Sequence, residues 1–149
     1  MRLILCLICL LFTTVYADIS NQTLIGQWKV SQWLTAMSVG ELGPADTTNL
    51  IGQTLVITSQ TITLKTTLLQ PEERFCSIDN MDSGWITSNP VEFFQDNYSQ
   101  DFDARDYKAL GLKIPFWRLY SSCIDVFTHA DSNKIDFVFG GDFFEAIRQ

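Results

Sequence analysis

A mainly β fold, a small antiparallel barrel or a strongly curved sheet closed on itself with two short helices, is predicted by three features of the sequence. Apolar residues alternate with polar ones in several short runs. Those runs are separated by polar or glycine turns. Eight or nine such strands and two helical segments share one core within residues 18–149. A two-sheet sandwich is the competing architecture.

The first strand spans Gln27 to Leu34, where alternation sets Trp28, Val30 and Leu34 on one side and Lys29, Ser31 and Trp33 on the other. Pro44 to Leu50 follows as a helical turn ending before Gly52. Leu55 to Thr58 and Thr61 to Thr66 form a hairpin around Ser59-Gln60, with Leu55 opposite Leu64 and Ile57 opposite Ile62. Asn89-Pro90 opens the second helix, with Val91, Phe94 and Tyr98 along one side, and each helix reads as a cover over a barrel end or sheet edge. Residues 99–110 are polar and weakly periodic, the pattern of a surface loop. Phe116 to Phe127 supplies one or two strands around Cys123.

The last hairpin joins Lys134–Phe139 to Phe143–Arg148, with Ile135, Phe137 and Phe139 sharing a face. A turn centred on Gly141-Asp142 pairs Phe139 with Phe144 and Phe137 with Ala146. That register is preferred because a Gly140-Gly141 turn would set Asp136 opposite Glu145, two like charges.

Residues 1–17 have the form of a secretory signal peptide: Arg2, an apolar run from Leu3 to Val15, and small Ala17 before the expected cut. The run is shorter than the ~20 residues needed to span a bilayer. Removing it from the 149-residue chain leaves one domain of 132 residues, 18–149. The protein is therefore expected outside the cytoplasm, periplasmic or extracellular. Its formal charge, −7 for the whole chain, becomes −8 once Arg2 is lost. Such a surface disfavours nucleic acid and suits a cationic partner. The two cysteines beyond the leader, Cys76 and Cys123, are expected to pair in an oxidising compartment.

Gly26-Gln27-Trp28 opens the first strand as G-x-W, and in this the chain resembles the lipocalins. The resemblance implies an eight-stranded antiparallel cup with a ligand cavity, its base closed by Trp28 beneath an arginine of the last strand, for which Arg148 is suitably placed. A guanidinium on the indole face is a favourable cation–π contact. The chain is also similar to small exported bacterial proteins of this lipocalin-like kind, without assigned activity. The shared features are the G-x-W strand, Ile51-Gly52-Gln53-x-Leu55, one cysteine in each half, Leu110-Gly111-Leu112 and a closing Gly141-x-Phe143-Phe144. Members of that group often carry a proline soon after the first cysteine, where this chain has Ser77-Ile78-Asp79.

No catalytic, cofactor or metal motif stands out. His129, the one histidine, lies beside an Asp-Ser-Asn turn, and no serine sits in a nucleophile elbow. Glu72-Glu73 and the acids Asp101, Asp103 and Asp106 read as solvated loop charge, the latter without the glycine and trailing glutamate of a calcium loop. Seventeen aromatics remain after Phe12 and Tyr16 leave with the leader. Among them Trp33, Trp85 and Trp117 are the candidates for lining a binding cavity or interface. The expected function is an exported, non-enzymatic binding protein with a small apolar ligand inside the barrel. The alternative is a protein-binding inhibitor or immunity protein against a cationic envelope enzyme such as a lysozyme. A hydrolase using an unrecognised carboxylate pair is a third reading.

Overall fold

The computed structural model describes residues 21–37, 42–66, 73–131 and 133–149. The expected leader, residues 1–17, lies outside them. Eight strands close into one antiparallel barrel in simple sequential order: β1 (Gly26–Ala36), β2 (Thr54–Ile57), β3 (Thr61–Lys65), β4 (Glu73–Ile86), β5 (Phe116–Ser121), β6 (Asp125–Thr128), β7 (Lys134–Phe139) and β8 (Asp142–Arg148). β1 pairs with β8, so the sheet has no free edge. Of the architectures considered from sequence, the up-and-down barrel is the one formed.

Inward-facing side chains fill the interior. Trp28, Leu55, Ile62, Leu64, Leu119, Val126, Phe137, Phe144 and Ala146 are all fully buried and form one apolar cluster. A void large enough for water would leave accessible area on its walls, and these walls have none. The β2–β3 hairpin has the expected register, Leu55 with Leu64 and Ile57 with Ile62. Its turn needs no glycine because the Thr58 hydroxyl accepts hydrogen bonds from the Gln60 and Thr61 amides, at 3.2 and 2.9 Å.

One end of the barrel is closed by the short helix α1 (Asn21–Leu24). Trp28 donates its indole N–H to the Leu24 carbonyl at 2.9 Å, and the Arg148 guanidinium lies 4.2 Å from the Trp28 ring centroid. Arg148 also donates to the carbonyls of Thr23 and Ile25. Gly26 is needed here for two reasons: its φ is +146°, and a Cβ would come within 3.1 Å of the Arg148 guanidinium. The first and third residues of G-x-W thus serve the same closure.

Three expectations are corrected. Trp33 does not share the outer face with Lys29, nor Leu34 the inner face with Trp28. A bulge between Val30 and Gln32 reverses the alternation, so Trp33 pairs with Phe144 at the inner rim and Leu34 packs against the outer cluster. The β7–β8 turn is Gly140-Gly141, not Gly141-Asp142. Phe137 pairs with Phe144, Ile135 with Ala146 and Asp136 with Glu145. Both glycines have positive φ, 58° and 81°, as a tight hairpin requires, and the facing acids are compensated by His129 and Lys134.

The third correction concerns the helices, of which the described residues hold four. Besides α1 and the expected α2 (Pro44–Leu50) and α3 (Pro90–Asn97), residues Ala104–Leu110 form α4 in the segment expected to be a loop. Asp103 caps it by accepting from the Arg105 and Asp106 amides, while Asp106 accepts from the Asp103 amide. α2 sends Leu50 into the interior. α3 and α4 lie on the barrel wall instead of its end, where Phe94, Phe102 and Leu110 cover Phe116, Phe127, Val138 and Phe143 of the outer face. The adjoining strands are therefore buried on both sides.

Cys76 of β4 and Cys123 in the β5–β6 turn form a disulfide, with Cα atoms 5.4 Å apart. Beside it Ser122 donates to the Ser77 carbonyl and the Ser77 amide to the Ser122 hydroxyl, both at 3.0 Å. The bridge spans 47 positions of sequence. Restricting the unfolded chain over that length contributes about 4 kcal/mol in the chain-entropy treatment. A Cys76→Ser/Cys123→Ser double variant is expected to lose up to about that amount in denaturant unfolding. A loss below about 1 kcal/mol would show that the barrel does not rely on the bridge.

Candidate functional site

The three tryptophans singled out from sequence do not converge. Trp33 stands at one rim, about half exposed, and donates its indole N–H to Asp142 at 2.8 Å. Trp85 and Trp117 pair across β4 and β5 at the opposite end, edge to face with ring centroids 5.5 Å apart. The Trp117 indole donates to the Asn21 side chain of α1 at 2.9 Å and packs on the interior cluster. These two rings belong to the closed end described above.

A cleft of about 660 Å³ lies instead on the outer wall, between the C-terminal end of α3, strand β5 and the β7–β8 turn. Its floor is built around Arg118. The guanidinium sits 4.5 Å from the Tyr120 ring centroid, 5.4 Å from Tyr98 and 5.5 Å from Phe93. It forms an ion pair with Asp125 at 2.8 Å, and the Tyr98 hydroxyl donates to the same carboxylate oxygen. The other Asp125 oxygen accepts from the Ser121 amide at 3.1 Å. Burial and the Asp125 charge push the Tyr98 phenol well above its ordinary range. Burial opposes the charge on Arg118, but its phenol and carboxylate partners outweigh that and raise its pKa.

The cleft is acidic. Asp82, Asp96 and Asp125 line it against the single base Arg118, and Arg118 is already neutralised by Asp125. Among the described residues, Asp82 and Asp96 have neither a hydrogen bond nor an ion pair through their carboxylates. The sequence reading missed this group. Its signal was Phe116, Arg118 and Tyr120 on one strand face, a charge between two aromatics.

A second polar cluster lies between β6, β7, β8 and β1. Asp136, fully buried, meets His129 Nε2 at 2.8 Å through one oxygen, while its other oxygen has no partner. Glu145 faces it across the strand pair and is held by Lys134 at 3.0 Å and by the Ser31 hydroxyl at 2.8 Å. Burial resists the charge on Glu145, yet Lys134 and Ser31 keep its carboxyl below the usual range. Burial raises Asp136 to about 6 against the pull of His129. Among the described residues the His129 ring is hydrogen-bonded to Asp136, and the cluster orders charge within the wall. Of the acids assigned to loop charge, Asp103 and Asp106 cap α4, and Asp106 also accepts from Thr35 at 2.7 Å. Glu72 lies outside the described residues.

The buried Asp136 sets a pH dependence whose sign is fixed. A folded pKa near 6 against 3.8 unfolded means that the folded state holds the extra proton between those values. Stability from this group is then full below about pH 4 and is lost as pH rises toward 6. The two-unit difference corresponds to about 3 kcal/mol. Asp136→Asn is expected to flatten that slope in urea titrations at pH 4 to 7 and to raise stability at neutral pH. An unchanged slope in the variant would assign the dependence to another group.

No family model, no curated protein and no solved structure matches this chain. What the structure shares with the lipocalin-like pattern is architectural: a closed eight-stranded antiparallel barrel, and a G-x-W tryptophan beneath a last-strand arginine.

Proposed function

We propose that this is an exported, non-enzymatic protein-binding module that takes a cationic protein on its outer wall, in the manner of an inhibitor or immunity protein for a basic envelope enzyme such as a lysozyme. The observation that carries this reading is the filled interior. With Trp28, Leu64, Phe137 and Phe144 fully buried against one another, a small apolar ligand would have to displace core side chains, each displacement costing kilocalories. Binding is then a matter for the surface. That surface bears a formal charge of −7 over the whole chain, and its one cleft described above carries two carboxylates without partners. Such a field accelerates encounter with a basic protein and repels nucleic acid and anionic lipid. The Cys76–Cys123 bridge is consistent with work in an oxidising compartment.

The test is titration of the protein, lacking residues 1–17, with a panel of basic lysozymes at low and high salt. A one-to-one complex is expected, weakening by about tenfold or more as salt screens the contact. Absence of any complex, together with a bound apolar molecule in native mass spectrometry or a response to hydrophobic dyes, would return the assignment to ligand carriage.

A further inference from the structure

We propose that the bulge Asn80–Ser83 and the cleft beside it form the face that grips this cationic partner. Met81 is the apolar anchor, and Asp82 with Asp96 is the seat for a partner lysine or arginine. The inference rests on the protein-binding reading above and adds where, and through which side chains, the contact is made.

The strand register creates the bulge. β4 and β5 pair at Asp79–Tyr120 and again at Gly84–Arg118, so four residues of β4 stand opposite Leu119 alone. The surplus cannot lie in the sheet and must leave the wall. It is nonetheless held firmly at its base. Ser83 donates to the Asp79 carbonyl at 2.7 Å and accepts from the Tyr120 amide at 3.0 Å, the Met81 amide donates to the Asp79 carboxylate at 2.8 Å, and Asn80 accepts from Asn21. A loop fixed in this way loses little conformational freedom on binding.

At its tip Met81 is 93% exposed, the most exposed large apolar side chain described. The fold gains nothing from that placement, since the barrel core and the wall cluster close without it. An unbranched thioether on a held loop is suited to filling an irregular apolar hollow in a partner. The next residue, Asp82, turns into the cleft, and Asp96 lines it from the last turn of α3. A carboxylate there faces the negative end of the helix dipole, at a cost to the helix that no basic residue in that turn offsets. Arg118, the one base in the cleft, is already committed to Asp125 and three aromatic rings, so the free charge is wholly negative. An apolar tip beside an acidic recess is complementary to a basic side chain projecting next to an apolar hollow. Nucleic acid and anionic lipid surfaces present the wrong sign.

The experiment compares the unaltered protein with Met81→Ala, with Asp82→Asn/Asp96→Asn, and with Glu92→Gln/Asp101→Asn as an equal change of charge away from the cleft. Each is titrated against the basic lysozymes with rates recorded. Met81→Ala is expected to weaken binding about tenfold, mainly through faster dissociation. Asp82→Asn/Asp96→Asn is expected to weaken it about tenfold or more, through slower association and a shallower salt dependence. The control pair should change affinity by less than about threefold. All five altered side chains, Met81, Asp82, Asp96, Glu92 and Asp101, are exposed, so unfolding curves should match the unaltered protein, with Asp96→Asn slightly more stable. If the control weakens binding as much as the cleft pair, or if Met81→Ala binds normally, this face is not the contact, although a cationic partner stands. If the unaltered protein binds none of the lysozymes, both the face and the protein-binding reading fall.

Discussion

Pairing of β1 with β8 turns a meander of eight strands into a closed wall, and the remaining structure depends on that seam. It is the most extensively paired junction, running from Trp28–Arg148 to Ala36–Asp142 across two bulges. Each end of it is fastened by a side chain as well as by backbone bonds. At the base Arg148 lies over Trp28 and binds the carbonyls before β1, while at the rim Trp33 of β1 reaches Asp142 of β8. Opening the seam would expose two strand edges and the apolar interior together, so closure and burial form one cooperative event.

The bulges that let the seam close also determine what the outside presents. By reversing alternation in β1, they place Thr35 where it can bind Asp106 of α4 and put Leu34 under the helical layer. α3 and α4 then cover one stretch of outer wall with aromatics, and the cleft opens where that cover ends. The bulge in β4 has the same origin with a different outcome: its surplus residues are covered by no helix and form the wall beside the cleft, with Met81 at the exposed tip. Irregularities in two strands thus give an otherwise plain barrel a helical face and a projecting loop.

Features fixed by residues near one another, or by simple parity, were legible in the sequence. The β2–β3 register followed from alternation and the disulfide from cysteine count and expected compartment, while the Arg148–Trp28 contact is what the G-x-W resemblance implies. What was not legible depended on distant compensation. Asp136 opposite Glu145 looked unfavourable because His129, just past the end of β6, and Lys134, at the start of β7, answer the two charges only in the folded barrel. Trp33 was assigned to the wrong face because a bulge leaves no mark in the hydrophobic pattern. α4 was hidden by its acidic cap, since Asp103 and Asp106 resemble loop charge until their bonds to backbone amides are seen. The cleft required strand β5 and the β7–β8 turn to meet α3 from well beyond it in the chain, a proximity no local pattern encodes.

The acids of the wall divide by what answers them. Asp125 has Arg118 and Tyr98, Asp136 has His129, Glu145 has Lys134 and Ser31, and Asp103 and Asp106 have amides at the start of α4. Replacing Asp125, Glu145, Asp103 or Asp106 would be felt first as lost stability, whereas Asp136 is buried at a cost that His129 only partly offsets. Asp82 and Asp96 have no such partners, and Asp96 stands against its own helix dipole. Met81 is the apolar counterpart, exposed where burial would be the rule. Side chains that a fold tolerates without using are the ones free to meet another molecule. Here they sit together on a held loop and the recess beside it, on a barrel whose inside is already full.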